Sequence, residues 1–254
     1  MIEVIDISKT FGEKVVLEKV SARFEDSNNS LIIGQSGHGK SVLLKCIVGL
    51  IQPDSGKVLY DGRDFVSGDA DTKRSIRREI GMLFQGNALF DSRNVEENVM
   101  FPLDMLTEMP RDEKLDRVNF CLKRVGLENV NKRMPSEISG GMQKRVGIAR
   151  AIVLNPRYLF CDEPNSGLDP LTAIKIDELI AEITDEYTIT TVVVTHDMNS
   201  VMTIGEYIMY IHKGRKLWEG TSENITATPS TELQEFIFAN RLLRDANTQN
   251  SKTS

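Results

Sequence analysis

The stretch that most constrains this chain is "SLIIGQSGHGKSVLLKCIVGL", Ser30 to Leu50. A short apolar run gives way to "GQSGHGKS", Gly34 to Ser41, and then to helical spacing. The pattern G-x-x-x-x-G-K-[ST] between a strand and a helix has a mechanical meaning. Glycines at 34, 37 and 39 let the backbone curl, so that successive N–H groups from Gly34, Gln35, Ser36, Gly37, His38 and Gly39 wrap a phosphate. The helix amino terminus adds its dipole, Lys40 reaches the terminal phosphates, and Ser41 ligates Mg²⁺. A glycine-rich turn arising by chance is the competing reading, and the strand-to-helix context argues against it. A nucleoside triphosphate is the expected ligand.

Such a loop needs a carboxylate for its metal, and "YLFCDEP" ends a buried-type strand with Asp162 and Glu163. Asp162 is the expected magnesium partner; Glu163, one residue further into the cleft, is the expected acceptor of a proton from attacking water. A second apolar run, "VVVTHD", ends at His196. At the carboxyl end of a parallel strand this ring can hydrogen-bond the γ-phosphate and position water. Gln85, ending "GMLFQ", is a candidate for contact with metal or water from a third strand end. His38 is read as loop filler whose backbone matters more than its ring.

The remaining pattern fits a layered α/β chain. The first 25 residues alternate apolar and polar in "IEVIDI" and "KVVLEKVSARFE", which predicts a small antiparallel layer. "KVLYDG" and "GMLFQ" read as strands flanking the basic helical stretch "TKRSIRREI". From about Asn87 to Asn155 only helical periodicity appears, with Leu115, Val118, Leu122 and Val125 on one stripe. After it, "YLFCDEP" and "TITTVVVTHD" bracket a crossover helix, the mark of parallel strands buried on both faces. Two short strands follow. The last segment opens as an amphipathic helix with Leu233, Phe236, Ile237 and Leu243, read as capping its own domain with a grip on a neighbour as the alternative, and its last ten or so residues are expected to be disordered.

Within the helical region, "PSEISGGMQKRVGIARAIVL" places serine and two glycines at the head of a helix. Ser139 is a good N-cap, and Gly140 and Gly141 leave the first amides uncovered, which makes a second anion-binding helix terminus. It lies 99 residues beyond the first (139 − 40). One triphosphate is already cradled, so the second terminus suits the nucleotide of another copy in a two-fold dimer. Glycines present only for close packing remain the alternative.

Charge and cysteines narrow the setting. A net charge of −6 argues against broad nucleic-acid binding. Cys46, Cys121 and Cys161 share no disulfide or metal spacing, which suits buried thiols in a reducing compartment. No apolar run reaches transmembrane length, and "MIEVIDISKT" lacks the character of an export signal.

Taken together, "GQSGHGKS", Gln85, "ISGG", "CDEP", "SGLDP" and His196, in this order, resemble the ATPase subunit of an ABC transporter. The resemblance implies the nucleotide-binding domain of that family over residues 1–240. Residues 1–86 and 156–222 would form the RecA-like core, a mainly parallel sheet flanked by helices, with its antiparallel β layer. Residues 87–155 would form the helical signature subdomain, and residues 223–254 a C-terminal helix and polar tail.

The resemblance further implies ATP with Mg²⁺, hydrolysis in a head-to-tail dimer, and integral-membrane permease subunits as partners, with no nucleic acid. Phe11 in "KTFGEK" would stack on adenine, and Gln85 would couple the site to the permease. Ser139, Gly140 and Gly141 would bind the partner's ATP, and Asp169 would sit in the loop joining the two ATP sites. Methionine at 142 followed by "QKR", with "LFQGNALFDSRNVEENVMFPL" after Gln85, is similar to the Mla and Mce-type ATPases. Those serve phospholipid or other hydrophobic cargo, which implies an Mce-type lipid-binding partner and a place on the cytoplasmic face of the bacterial inner membrane. Two other functions are compatible with the same motifs: powering import of a polar solute such as an amino acid, and mechanical control of a cell-wall enzyme through a non-transporting membrane partner.

Overall fold

A computed structural model of the chain describes residues 1–86 and 88–238. β1 (Ile2–Phe11) turns Ile2, Val4 and Ile7 inward and leaves Ile5 and Asp6 outside, so one face is apolar, as the alternation predicts. It pairs antiparallel with β2 (Lys14–Phe24) and with β4 (Ser55–Tyr60), and the short β5 (Arg63–Asp64) closes the order β2-β1-β4-β5.

The second sheet is built differently. β3 (Asn29–Ile33), β7 (Tyr158–Asp162) and β8 (Thr190–Thr195) are buried at every position. With β6 (Ile80–Leu83) and β9 (Tyr207–His212) they run parallel in the order β9-β3-β8-β7-β6, and β10 (Arg215–Gly220) pairs antiparallel with β9 at the edge. Successive side chains serve opposite cores. Leu31, Ile33, Leu159, Cys161 and Val193 face a cluster shared with the helical region, whereas Ile32, Phe160, Val192 and Val194 face one shared with the antiparallel layer and α1 (Lys40–Ile47). The basic stretch of 70–78 is α2 (Ala70–Arg78), with Arg74, Arg77 and Arg78 exposed.

Between β6 and β7 the chain is helical. α3 (Val95–Leu106) starts at a capping box in which Asn94 accepts from Glu97 N and Glu97 reaches back to Asn94 N, each at 2.9 Å. In α4 (Arg111–Arg124) Val118 and Leu122 are buried, with Val125 just beyond and Leu115 at the margin, the expected stripe. α5 (Gly140–Ile152) is buried over most of its second half.

α6 (Pro170–Tyr187) joins β7 to β8, and α7 (Met198–Ile204) joins β8 to β9. α8 (Thr231–Ile237) packs Leu233 and Ile237 into the first core, and the Tyr210 hydroxyl donates to the Glu232 carbonyl at 3.1 Å. The helix therefore caps its own chain. Leu243 and the polar tail lie outside the described residues.

Candidate active site

The parallel strands of the second sheet deliver the predicted site residues to their carboxyl ends, where such sheets bind ligands. Gly34 follows β3, Gln85 follows β6, Asp162 ends β7 with Glu163 next, and His196 follows β8. The loop from 34 to 39 bends through positive φ at Gly34, Gly37 and Gly39. Lys40 is 4% exposed and its ammonium donates to the carbonyls of Gly34 and Gln35 at 2.8 and 3.0 Å. Burial lowers its pKa, against the pull of Glu163 and Asp162.

The Ser41 hydroxyl donates to Asp162 Oδ1 at 2.8 Å. Burial raises the pKa of Asp162, with the Ser41 hydrogen bond and Lys45 opposing. A hydroxyl and a carboxylate converging beside a phosphate loop fit Mg²⁺, which takes few protein oxygens and completes its shell with phosphate and water. Gln85 lines the same cleft, and its amide Nε2 donates to Glu163 Oε2 at 2.8 Å.

Glu163 is the centre of the arrangement. One carboxylate oxygen takes the Gln85 amide, and the other lies 3.2 Å from His196 Nδ1. Its backbone is left-handed, φ 47°, with the N–H donating to Val194 O at 2.9 Å. A non-glycine residue held there costs about 1–3 kcal/mol, a strain that clusters at working sites. Here it sets the carboxyl group beside the phosphate loop. The cleft between loop and carboxylate, about 280 Å³, is lined by Val16, Ser36, Lys40, Ser41, Gln85 and Glu163 among others. A wider cleft of about 560 Å³ opens between Gln35, Ser36, Glu163, Ser166, Gly167 and His196.

The remaining predicted residues lie at the margins. Phe11 is exposed at the end of β1, with Lys9 Nζ 5.4 Å from its ring centre; Val16 of the same hairpin, not Phe11, lines the smaller cleft. The His38 ring stacks edge-on against His212 at 4.7 Å, and burial and His212 both lower its pKa. Ser139 caps α5, accepting from Met142 N at 3.3 Å. Asp169 caps α6, accepting from Thr172 N at 3.0 Å. The Met142 side chain is half-buried against the first core.

Four residues not singled out from the sequence lie at or behind the site. Lys144, 3% exposed, donates to the Gln85 carbonyl at 2.7 Å. Asn165 Nδ2 donates to Ser200 Oγ at 3.1 Å, and beside them Asp177 is 1% exposed with its carboxyl pushed up to about 6 by burial. For Asp177 the available signal was a charge whose helix-face neighbours, Ala173, Ile174, Ile180 and Ala181, are apolar.

The sequence model of the family described as "ABC transporter" matches residues 17–166, more than half of the chain. The chain belongs to the ABC transporter family. Among curated relatives, this ABC ATPase is 37% identical over 241 residues to the "Probable ribonucleotide transport ATP-binding protein mkl" of Mycobacterium leprae, covering 95% of this chain and 70% of that protein. It is 39% identical over 246 residues to the "Methionine import ATP-binding protein MetN" of Clostridium tetani, covering 96% and 76%. Its fold matches the dimeric structure of MJ0796, a bacterial ABC transporter cassette, with a TM-score of 0.81 at 35% identity over 87% of this chain and 99% of that one. MJ0796 has also been solved as a dimer in a post-hydrolysis state bound to ADP and Pi, with a TM-score of 0.80 at 34% identity over the same shares. The ABC ATPase thus carries an ATP-hydrolysing cassette coupled to transport, and among its described residues no helix is long and apolar enough to cross a membrane.

Proposed function

We propose that this chain is the ATPase subunit of a bacterial transporter that moves phospholipids between membranes, working as a head-to-tail dimer on the cytoplasmic face of the inner membrane. The observation that carries the lipid reading is the sequence around the two helix-linked motifs, "ISGGMQKR" and "LFQGNALFDSRNVEENVMFPL", which is similar to the Mla and Mce-type ATPases. An Mce-type lipid-binding protein would then belong to the same complex.

A permease partner is supported by an apolar groove of about 370 Å³ beside the segment after Gln85, lined by Phe84, Phe90, Phe101, Pro102 and Leu106. A dimer is supported by the exposed Ser139 and Gly140 at the head of α5 and by the likeness to MJ0796. In that dimer each phosphate loop would face the partner's Ser139–Gly141.

ATP would be held by the 34–41 loop, with Ser41, Asp162 and Gln85 as the residues proposed to serve Mg²⁺. The metal, when bound, supplies charge neutralisation on the phosphates. Glu163 accepts the proton of the attacking water, and Gln85 and His196 fix its two oxygens. Phe11 stacks on adenine at the rim, and Asp169 holds the loop between the two ATP sites.

A specific observation favours a second reading. The chain is 39% identical to a protein named for methionine import, so a polar solute is the rival cargo. Mass spectrometry of lipids co-purified with the whole complex separates the two. Phospholipid enriched over the detergent background supports the proposal; no lipid, with ATPase stimulated by a solute-loaded binding protein, replaces it. The catalytic assignment has its own check: Glu163→Gln should bind ATP and lose about 10²- to 10⁴-fold in turnover, and a parental rate would overturn it.

A further inference from the structure

Lys144 lies one turn beyond Gly140 and Gly141 on α5, and its ammonium is directed at a backbone carbonyl, that of Gln85, at 2.7 Å. Two turns further along the same helix, Arg150 Nη1 donates to the Ala88 carbonyl at 2.7 Å. α5 therefore grips the segment that leaves β6 at two points. Burying an ammonium against a neutral carbonyl is costlier than burying an apolar side chain of the same length. Packing alone does not account for lysine there.

The link continues. Gln85, held by its carbonyl, donates its side-chain amide to Glu163 at 2.8 Å, and His196 closes on the other carboxylate oxygen. At the opposite end of the linkage, Ser139 and Gly140 stand exposed at the head of the helix. The path from the helix terminus to the carboxylate is thus continuous: Ser139–Gly141, Lys144, Gln85, Glu163.

We propose that Lys144 is a positioning residue that couples the head of α5 to Glu163 through Gln85, so that a nucleotide docked on Ser139–Gly141 from the partner copy sets the aim of this chain's own carboxylate. The inference rests on the dimeric ATPase reading above. It deepens that reading by making the two ATP sites of the dimer dependent on each other through one side chain. A shift of α5 by about 1 Å would be passed to the carboxylate, and misplacement on that scale costs about 100-fold in rate.

The test uses the full chain, with turnover measured against ATP concentration, affinity for a fluorescent ATP analogue, and a thermal melt for folding. Lys144→Met keeps the length and removes the donor; Lys144→Gln keeps a donor without the charge. Lys144→Met should bind the analogue within about twofold of the parent, lose about 10- to 100-fold in turnover at unchanged KM, and lower the Hill coefficient for ATP to about 1. Lys144→Gln should recover part of both. A folded Lys144→Met with parental turnover and Hill coefficient overturns the proposal.

If Lys144→Met does not fold, hydrogen exchange on the Glu163→Gln chain decides. As the chain concentration is raised at saturating ATP, protection of Gln85 and Gly86 should rise in step with that of residues 139–144. Protection confined to 139–144 overturns the proposal. Failure of the underlying reading looks different, because Glu163→Gln would then hydrolyse ATP at the parental rate whatever residue 144 is.

Discussion

Among the described residues, α1 and α5 both have glycine at their start, and the glycines are there for different reasons. α1 has Gly39 as its N-cap, left-handed at φ 103° with no side chain capping it, and a Cβ there would lie 2.8 Å from the Val16 carbonyl oxygen. No other residue satisfies both demands, so the chain's own fold requires that glycine. α5 is capped by Ser139 and carries Gly140 and Gly141 inside its first turn, neither with positive φ. A Cβ at Gly141 would meet Thr172 Cγ2 at 2.8 Å, whereas at Gly140 the nearest atom would be Leu168 Cδ2 at 3.8 Å. Nothing within this chain demands glycine at 140, where alanine would make the better helix. The first helix start is explained within one chain; the second fits the proposal that Gly140 serves a partner copy's nucleotide.

The sharpest way to break this comparison is to substitute both kinds of glycine. Gly39→Ala should cost on the order of 2–3 kcal/mol through strain and backbone contact, with loss of ATP affinity in a binding titration. Gly140→Ala should leave the thermal midpoint unchanged or slightly raised and ATP binding intact, while ATP-driven dimerisation of the Glu163→Gln chain, followed by size-exclusion chromatography, weakens. If Gly140→Ala destabilises the monomer as Gly39→Ala does, the second helix start is an internal packing device and the distinction fails.

Gly141 tests the intermediate case. Alanine there should cost about 1–2 kcal/mol by crowding Thr172, and Thr172→Ser, which removes only Cγ2, should restore most of it in the double variant. Recovery of stability without recovery of dimerisation would show that Gly141 serves both the α5–α6 contact and the partner's nucleotide.

The same contrast explains what could be read in the sequence. The phosphate loop, Asp162, Glu163 and His196 were legible because each demand is local: glycines for positive φ, an acid or histidine at the end of an apolar strand. The antiparallel layer and the stripe of Val118 and Leu122 were legible from periodicity. The gripping role of Lys144 was not, because it depends on α5 lying beside the segment after β6, a contact between residues 59 apart in sequence. The Asn165–Ser200–Asp177 group is hidden for a similar reason, since a carboxyl in α6 meets Asn165 of the preceding loop and Ser200 of α7 only once the sheet has formed. The roles proposed for Ser139 and Gly140 lie further off, because they call on a second copy of the chain.

Met142 carries the smallest effect and the finest discrimination. Its backbone N–H is taken by the Ser139 cap while its side chain packs, half-buried, against the first core. Glutamine in its place trades a soft apolar group for a polar amide at the edge of that core, at a cost of about 1 kcal/mol and a shift of about 2–4 °C in the melting midpoint. Because the side chain points inward, ATP affinity of the single chain should not change, and dimerisation should fall by no more than the loss of stability explains. A stable Met142→Gln chain that dimerises differently from the parent would mean that the side chain swings out on closure. The second helix start would then include a side chain as well as bare amides in its contact with the partner's nucleotide.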